Sequence, residues 1–181
     1  GWSYGAEFLL QKKVGKFSGW AGYTLSWTKW QFDELNFGKE FFPRYDRRHD
    51  ASIVGIYELS PKITLSGTWV YGTGQAITLP QATYHLSGNT PGTNFYSQYY
   101  VTDYGSRNSF RMAPYHRLDI AVQFHKQLAR SERTFELGVY NAYNRKNPFF
   151  YDITTTMSGQ SKLMQYSLFP IIPSVSWTYK F

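Results

Sequence analysis

The 181-residue sequence contains no cysteine. A disulfide framework and a thiolate metal site are both excluded. No stretch approaches the ~20 consecutive apolar residues that a transmembrane helix needs, and the mean hydropathy is polar, at -0.46. Membrane strands stay possible, because a spanning strand shows only alternation. Close histidine pairs are also missing: His49, His85, His116 and His125 have no metal-ligand spacing. Ser109, His116 and Asp119 are near one another in sequence, but alternation puts His116 and Asp119 on opposite faces of a strand, which one strand cannot bring together. Gly72-Thr73-Gly74 is followed by no helix, so it lacks the geometry of a phosphate loop. Neither a catalytic site, a metal nor a cofactor is expected. No signal peptide is visible, and an opening on Gly1 in place of Met reads as a chain cut from something longer.

Aromatic residues are abundant: 16 Tyr, 14 Phe and 6 Trp make up 20% of the chain. Such rings suit boundaries that are apolar on one side and wet on the other. Membrane barrels carry aromatic girdles at both interfaces, and an aromatic-rich soluble sandwich fits the composition as well. The net charge is +7. Its clusters, Arg44 with Arg47 and Arg48, and Lys126 with Arg130 and Arg133, fall in predicted loops and turns. They read as solvated charges, some near anionic lipid head groups, and not as the single basic face of a nucleic-acid binder.

Period-2 alternation dominates and predicts seven strands. They cover about 2–13, 17–30, 48–59, 63–73 and 115–127. A sixth begins near 133 and continues, with a bulge, through Phe149 to Ile153. A seventh runs from about 166 to the end. Lengths of about 10–14 residues exceed the 5–6 usual in globular proteins and suit tilted membrane strands. The connections alternate short (14–16, 60–62, about 128–132) and long (about 31–47, 74–114, 154–165). Outer-membrane barrels sort their loops this way, with short turns in the periplasm. The first and seventh strands then both run towards the periplasm. Seven is odd where such barrels have even counts, so at least one earlier strand is expected to be missing.

The ending Ser174-Val-Ser-Trp-Thr-Tyr-Lys-Phe181 resembles the C-terminal signal of outer-membrane proteins, a final Phe preceded at alternate positions by Tyr179, Trp177 and Val175. The resemblance implies recognition of these four residues by the β-barrel assembly machinery. Arg48-His49-Asp50, Trp69-Val-Tyr-Gly-Thr-Gly74, Asn141-Ala-Tyr-Asn-Arg-Lys-Asn-Pro148 and Ser167-Leu-Phe-Pro-Ile-Ile-Pro-Ser174 resemble the final strands of TonB-dependent receptors, in the subgroup with a carboxypeptidase-regulatory-like domain ahead of the plug. That resemblance implies an all-β fold in which residues 1–181 are strands 16 to 22 of a 22-stranded transmembrane barrel. It also implies active import of a scarce ligand, powered by TonB through a plug inside the barrel. Plug, TonB box and the earlier strands lie outside this sequence. The ending lacks the Gly-rich close of starch-utilisation-type importers.

Two sets of side chains are the expected contacts. In the long loops, Phe42, Arg44 and Tyr45, and Tyr96, Tyr99 and Tyr100, have the stacking and hydrogen-bonding groups to meet a ligand, or to pack loop on loop. On the lumen-facing rows, Glu7, Glu58, Arg117, Asp119 and Glu136 are placed to face a plug, or to line a wet interior. A passive porin and a soluble lipocalin-type barrel remain alternatives.

Overall fold

The structure, a computed structural model, describes residues 1–89, 96–155 and 160–181; for 85–87, 89, 96–99 and 155 it describes the backbone alone. The alternating segments form strands, in which successive side chains point to opposite faces. These are β1 (Trp2–Lys12), β2 (Phe17–Lys29), β3 (His49–Ser60), β4 (Ile63–Gly72), β5 (Ala76–Ile77), β6 (Pro80–Asn89), β7 (Tyr96–Tyr104), β8 (Phe110–Arg111), β9 (Tyr115–Gln127), β10 (Glu132–Tyr140), β11 (Pro148–Thr155), β12 (Ser161–Ser167) and β13 (Ile172–Lys180). The fold is all-β, with a seven-stranded antiparallel sheet in the order β1-β2-β3-β4-β9-β10-β13. Each strand pairs with the next along that order, and β1 and β13 are the edges. Gly15, at φ 97, makes the tight turn between β1 and β2.

Two expectations are corrected. The sixth strand does not continue to Ile153: β10 stops at Tyr140, because Asn141 turns into the left-handed region at φ 53. Phe149 to Ile153 instead belong to β11, which pairs with β12 in a separate hairpin. The seventh strand does not open near 166, since that residue lies in β12. Phe169 at φ 56, followed by Pro170, delays β13 until Ile172. The long connection 73–114 is itself built, from the β5–β8 ladder and the β6–β7 hairpin.

Register joins the apolar rows of all seven strands on one face. Leu10, Ala21, Ile53, Trp69 and Leu118 form one cross-strand row. Phe17, Tyr57, Leu65, Val122, Leu137 and Val175 form another. Rings gather towards both ends of the strands. At the loop end Tyr4 stacks on Trp27 at 5.3 Å and Tyr71 on His116 at 6.4 Å. At the turn end stand Phe17, Tyr57, Phe124, Phe135, Trp177 and Tyr179. Between them lie Ala21, Ile53, Gly67, Ile120, Leu137 and Val175.

The strands are staggered. The row that starts at Lys12, the last residue of β1, passes through Gly19, Gly55, Gly67, Ile120 and Val139 to Pro173. Pro173 is only the second residue of β13, whose far end is Lys180. The turn edge therefore slips seven residues across six strand-to-strand steps. At ~3.3 Å per residue and ~4.8 Å per strand, the strands tilt by about 40°.

Among the described residues no layer covers the apolar face. Ile53, Ile120, Phe124, Phe135, Leu137, Val175 and Trp177 are exposed, while Gln123, Thr134 and Glu136 on the opposite face are half-buried. The chain exposes 13408 Å², against about 9,000 Å² for a compact soluble monomer of its mass. Among the described residues the buried apolar side chains are Phe41, Ala76 and Met112, all in the long connections.

Candidate functional site

The polar face carries the expected lumen charges. Glu7 shares a row with Thr24 and Asp50. Glu58, Thr64, Gln123 and Glu136 form another row, with the Gln123 side-chain amide donating to Glu136. Arg117 and Asp119 sit two residues apart on β9 and pair at 2.8 Å. The Arg117 guanidinium also donates to the Tyr115 hydroxyl at 2.9 Å and the Tyr140 hydroxyl at 2.6 Å, and lies 4.0 Å from the Tyr140 ring centre. Asp119 accepts from the Asn141 backbone N–H at 2.9 Å. The pair is thus tied into the wall where β10 ends. On the same face Leu9, Trp20, Val54 and Ile56 form an apolar patch, with the Trp20 ring over Gly22 beside Leu9. Sequence reading passed over it, although Leu9 and Trp20 break the polar row by sight.

The long connections meet around Asp46, whose side chain is fully buried. It accepts from the Thr28 backbone N–H at 2.8 Å and from Arg111, and Arg48 lies 3.9 Å away. Arg111 also donates to the Gly74 carbonyl. Gly74 is obligatory, since a Cβ there would fall 1.9 Å from the Met112 carbonyl oxygen. Asn108 donates to the Phe42 carbonyl at 2.7 Å and Arg107 to Asn36 at 2.8 Å, so the 74–114 connection is fastened to the 31–47 connection. Neither Arg111 nor Asp46 was expected, because nothing local in sequence couples residues 65 apart.

The expected loop contacts separate. Phe42 is half-buried under the guanidiniums of Arg48 and Arg111, at 5.9 and 5.3 Å, so it packs loop on loop. Tyr45 is exposed and meets Trp30 edge-on at 5.6 Å. Arg44, held by Gln75 at 3.0 Å, lines an open cleft of about 470 Å³ with Thr78, Tyr104, Tyr151 and Asp152. Tyr100 is exposed on β7. The side chains of Tyr96 and Tyr99 lie outside the described residues.

The asparagines of the 141–148 motif are structural. Asn147 accepts from the His116 N–H at 3.0 Å and donates to the His116 carbonyl at 2.9 Å, which replaces a strand partner where β10 has ended. Asn141, wholly buried, closes the turn through Arg145 and the Phe169 carbonyl. His116 faces the apolar side beside Tyr71, and Asp119 the polar side beside Thr68.

Val175, Trp177 and Tyr179 project from the apolar face of edge strand β13, and Phe181 follows, fully exposed, 6.1 Å from the Tyr179 ring. At this turn end basic residues accumulate: Lys12, Lys13 and Lys16 at the first turn, Lys126, Arg130 and Arg133 at the third. Lys126 and Arg133, read from sequence as turn charges, lie on β9 and β10 and face the apolar side.

Comparison with family models, with curated proteins and with solved structures finds no match. The geometry alone therefore defines the class: an antiparallel, staggered, seven-stranded sheet with one bare apolar face and one polar face.

Proposed function

We propose that this sheet is part of a transmembrane β-barrel of the bacterial outer membrane. The observation that carries the reading is the bare apolar face, aliphatic in its middle and aromatic at both ends. A lipid-facing barrel wall has that pattern, whereas a soluble lipocalin-type barrel seals its apolar rows inside. Magnitudes agree. The strand tilt of about 40° falls in the 35–45° range of such barrels. The row from His116 to Lys126 spans ten residue steps, about 33 Å along the strand and about 25 Å across a membrane once tilted, and its apolar members, Leu118 to Phe124, fit within the height of an outer-membrane apolar band.

Within that class we read the chain as strands 16 to 22 of a 22-stranded TonB-dependent receptor that imports a scarce ligand. The C-terminal row from Val175 to Phe181 supports docking to the barrel assembly machinery by strand addition. Leu9, Trp20, Val54 and Ile56, flanked by Glu7 and Glu58, offer a plug an apolar seat with charged margins. The open edges β1 and β13 pair with further strands, since lipid tolerates no free edge. The ligand meets the Arg44–Asp152 cleft at the loop end.

Membrane fractionation of the full-length protein tests the class. The expected result is an outer-membrane pellet resistant to carbonate and mobility that shifts on heating. Recovery in the aqueous phase of a detergent partition would overturn it. The narrower reading is tested by the sequence encoded ahead of this chain: a plug and a TonB box sustain it, and their absence leaves a passive porin.

A further inference from the structure

The apolar face ends, at the turns, in cations that no acid answers. Lys126 on β9 and Arg133 on β10 are direct cross-strand partners, and Arg133 in turn faces Tyr179 on β13. Like charges directly opposite one another destabilise a sheet. Neither forms an ion pair among the described residues; the nearest acid in the third turn, Glu132, stands on the other face in the row of Gln127 and Lys180. Arg133 rests over the Tyr179 ring, 5.5 Å from its centre. Lys12, at the foot of the β1 apolar row, repeats the arrangement over Phe17 at 5.9 Å. Both cations of the pair are exposed.

We propose that Lys126 and Arg133, with Tyr179, form a binding site for the phosphate of an anionic phospholipid in the leaflet at the turn end, a proposal that rests on the membrane reading above. Adjacent strands lie ~4.8 Å apart, so an ammonium and a guanidinium reach one phosphate together. Arginine takes the two non-bridging phosphate oxygens side by side, and lysine shares one of them as a point charge. The phosphate removes the repulsion between the two cations. The acyl chains of the same lipid continue up the apolar rows, over Phe124, Phe135 and Trp177. A free anion has no use for that continuity, and this favours the lipid as occupant.

The test is headgroup-resolved crosslinking. The full-length protein is reconstituted in vesicles of phosphatidylcholine and phosphatidylglycerol in equal parts. Either lipid carries a photoreactive group near its headgroup, and mass spectrometry reads labelling of the peptides around 126–133 and 177–181. The native protein should favour the phosphatidylglycerol probe at these peptides. The double substitution Lys126→Gln/Arg133→Gln should reduce that preference on the order of tenfold. Lys126→Arg/Arg133→Lys, which keeps both charges, should retain it, and Lys39→Gln at the loop end should change nothing. The charge-keeping pair decides the matter if the neutral pair fails to insert. Equal labelling by both probes, or an unchanged preference in the neutral pair, overturns the site. Loss of the preference with inorganic phosphate, but not with chloride at equal ionic strength, makes it a soluble-anion site and overturns the lipid assignment. If neither probe labels any apolar-face peptide, the membrane reading itself has failed.

Discussion

The sheet and the long connections solve opposite problems. In the sheet, main-chain ladders hold the strands together while no apolar side chain of the bare face is fully buried. In the connections, apolar and polar side chains are both buried: Phe41, Ala76 and Met112, and also Asp46, Asn141 and Asn147. On the membrane reading proposed above, one chain is prepared for two media. A side chain that must lie in an apolar solvent needs only facing, fixed by a two-residue period. A loop cap in water must make its own interior, so its buried donors and acceptors need partners, and among the described residues Arg48 Nη1 is the buried side-chain atom left without one.

The sharpest break of this comparison is a charge in the middle of the apolar face. Ile120→Arg should cost up to about 4 kcal/mol in a bilayer, measured by denaturant unfolding in lipid vesicles. Thr178→Arg, on the polar face, should stay within about 0.5 kcal/mol. Equal effects would mean that the face is not in lipid.

Next comes the loop layer. Asp46→Ala removes the carboxylate that faces Arg111 and Arg48, and should cost about 3 kcal/mol, at the low end for broken buried pairs because Arg111 keeps 30% of its side chain exposed. Protease cleavage within 31–47 and 74–114 should speed up on the order of a hundredfold, with the heat-modifiable mobility that the proposed barrel implies unaltered. Loss of both would show the two regions to be one cooperative unit.

A smaller effect is expected at their junction. Asn147→Ala strips both backbone groups of His116 of their partner and should cost about 2 kcal/mol. Hydrogen exchange at the His116 amide reports it. Asn147→Asp keeps the acceptor for the His116 N–H and loses the donor to its carbonyl, so it should fall between.

The least change in stability is expected at the end of the chain. Deleting Phe181 removes an exposed ring, so its effect should lie in assembly: slower insertion and misfolded protein in the periplasm. Lys180→Ala, on the opposite row, should do much less. Outer-membrane yield of the two variants separates them, and equal harm from Lys180→Ala would sink the terminal-signal reading.

Alternation alone made five strands, the start of a sixth and the end of a seventh legible, because facing repeats every two residues and needs no distant partner. The same rule placed Glu7, Glu58, Arg117, Asp119 and Glu136 on one face, and Val175, Trp177 and Tyr179 on the other. It failed where alternation runs through a break. Phe149, Tyr151 and Ile153 keep the two-residue period, yet Asn141 had already turned the chain, and an αL asparagine leaves no periodic trace. It also failed in the connections, where Asp46 meets Arg111 across 65 residues and Asn147 acts on His116 across 31.

Sequence by itself determined the two-faced strands and the sorting of short turns from long loops, since each depends on near neighbours. Tertiary structure decided the rest. Pairing register stacked seven separate apolar rows into one surface and set the stagger that tilts them. It put Lys126 opposite Arg133, which no spacing along the chain announces. Contacts of that kind arise from where strands stop, and strand ends are set by the partners that a fold happens to bring alongside.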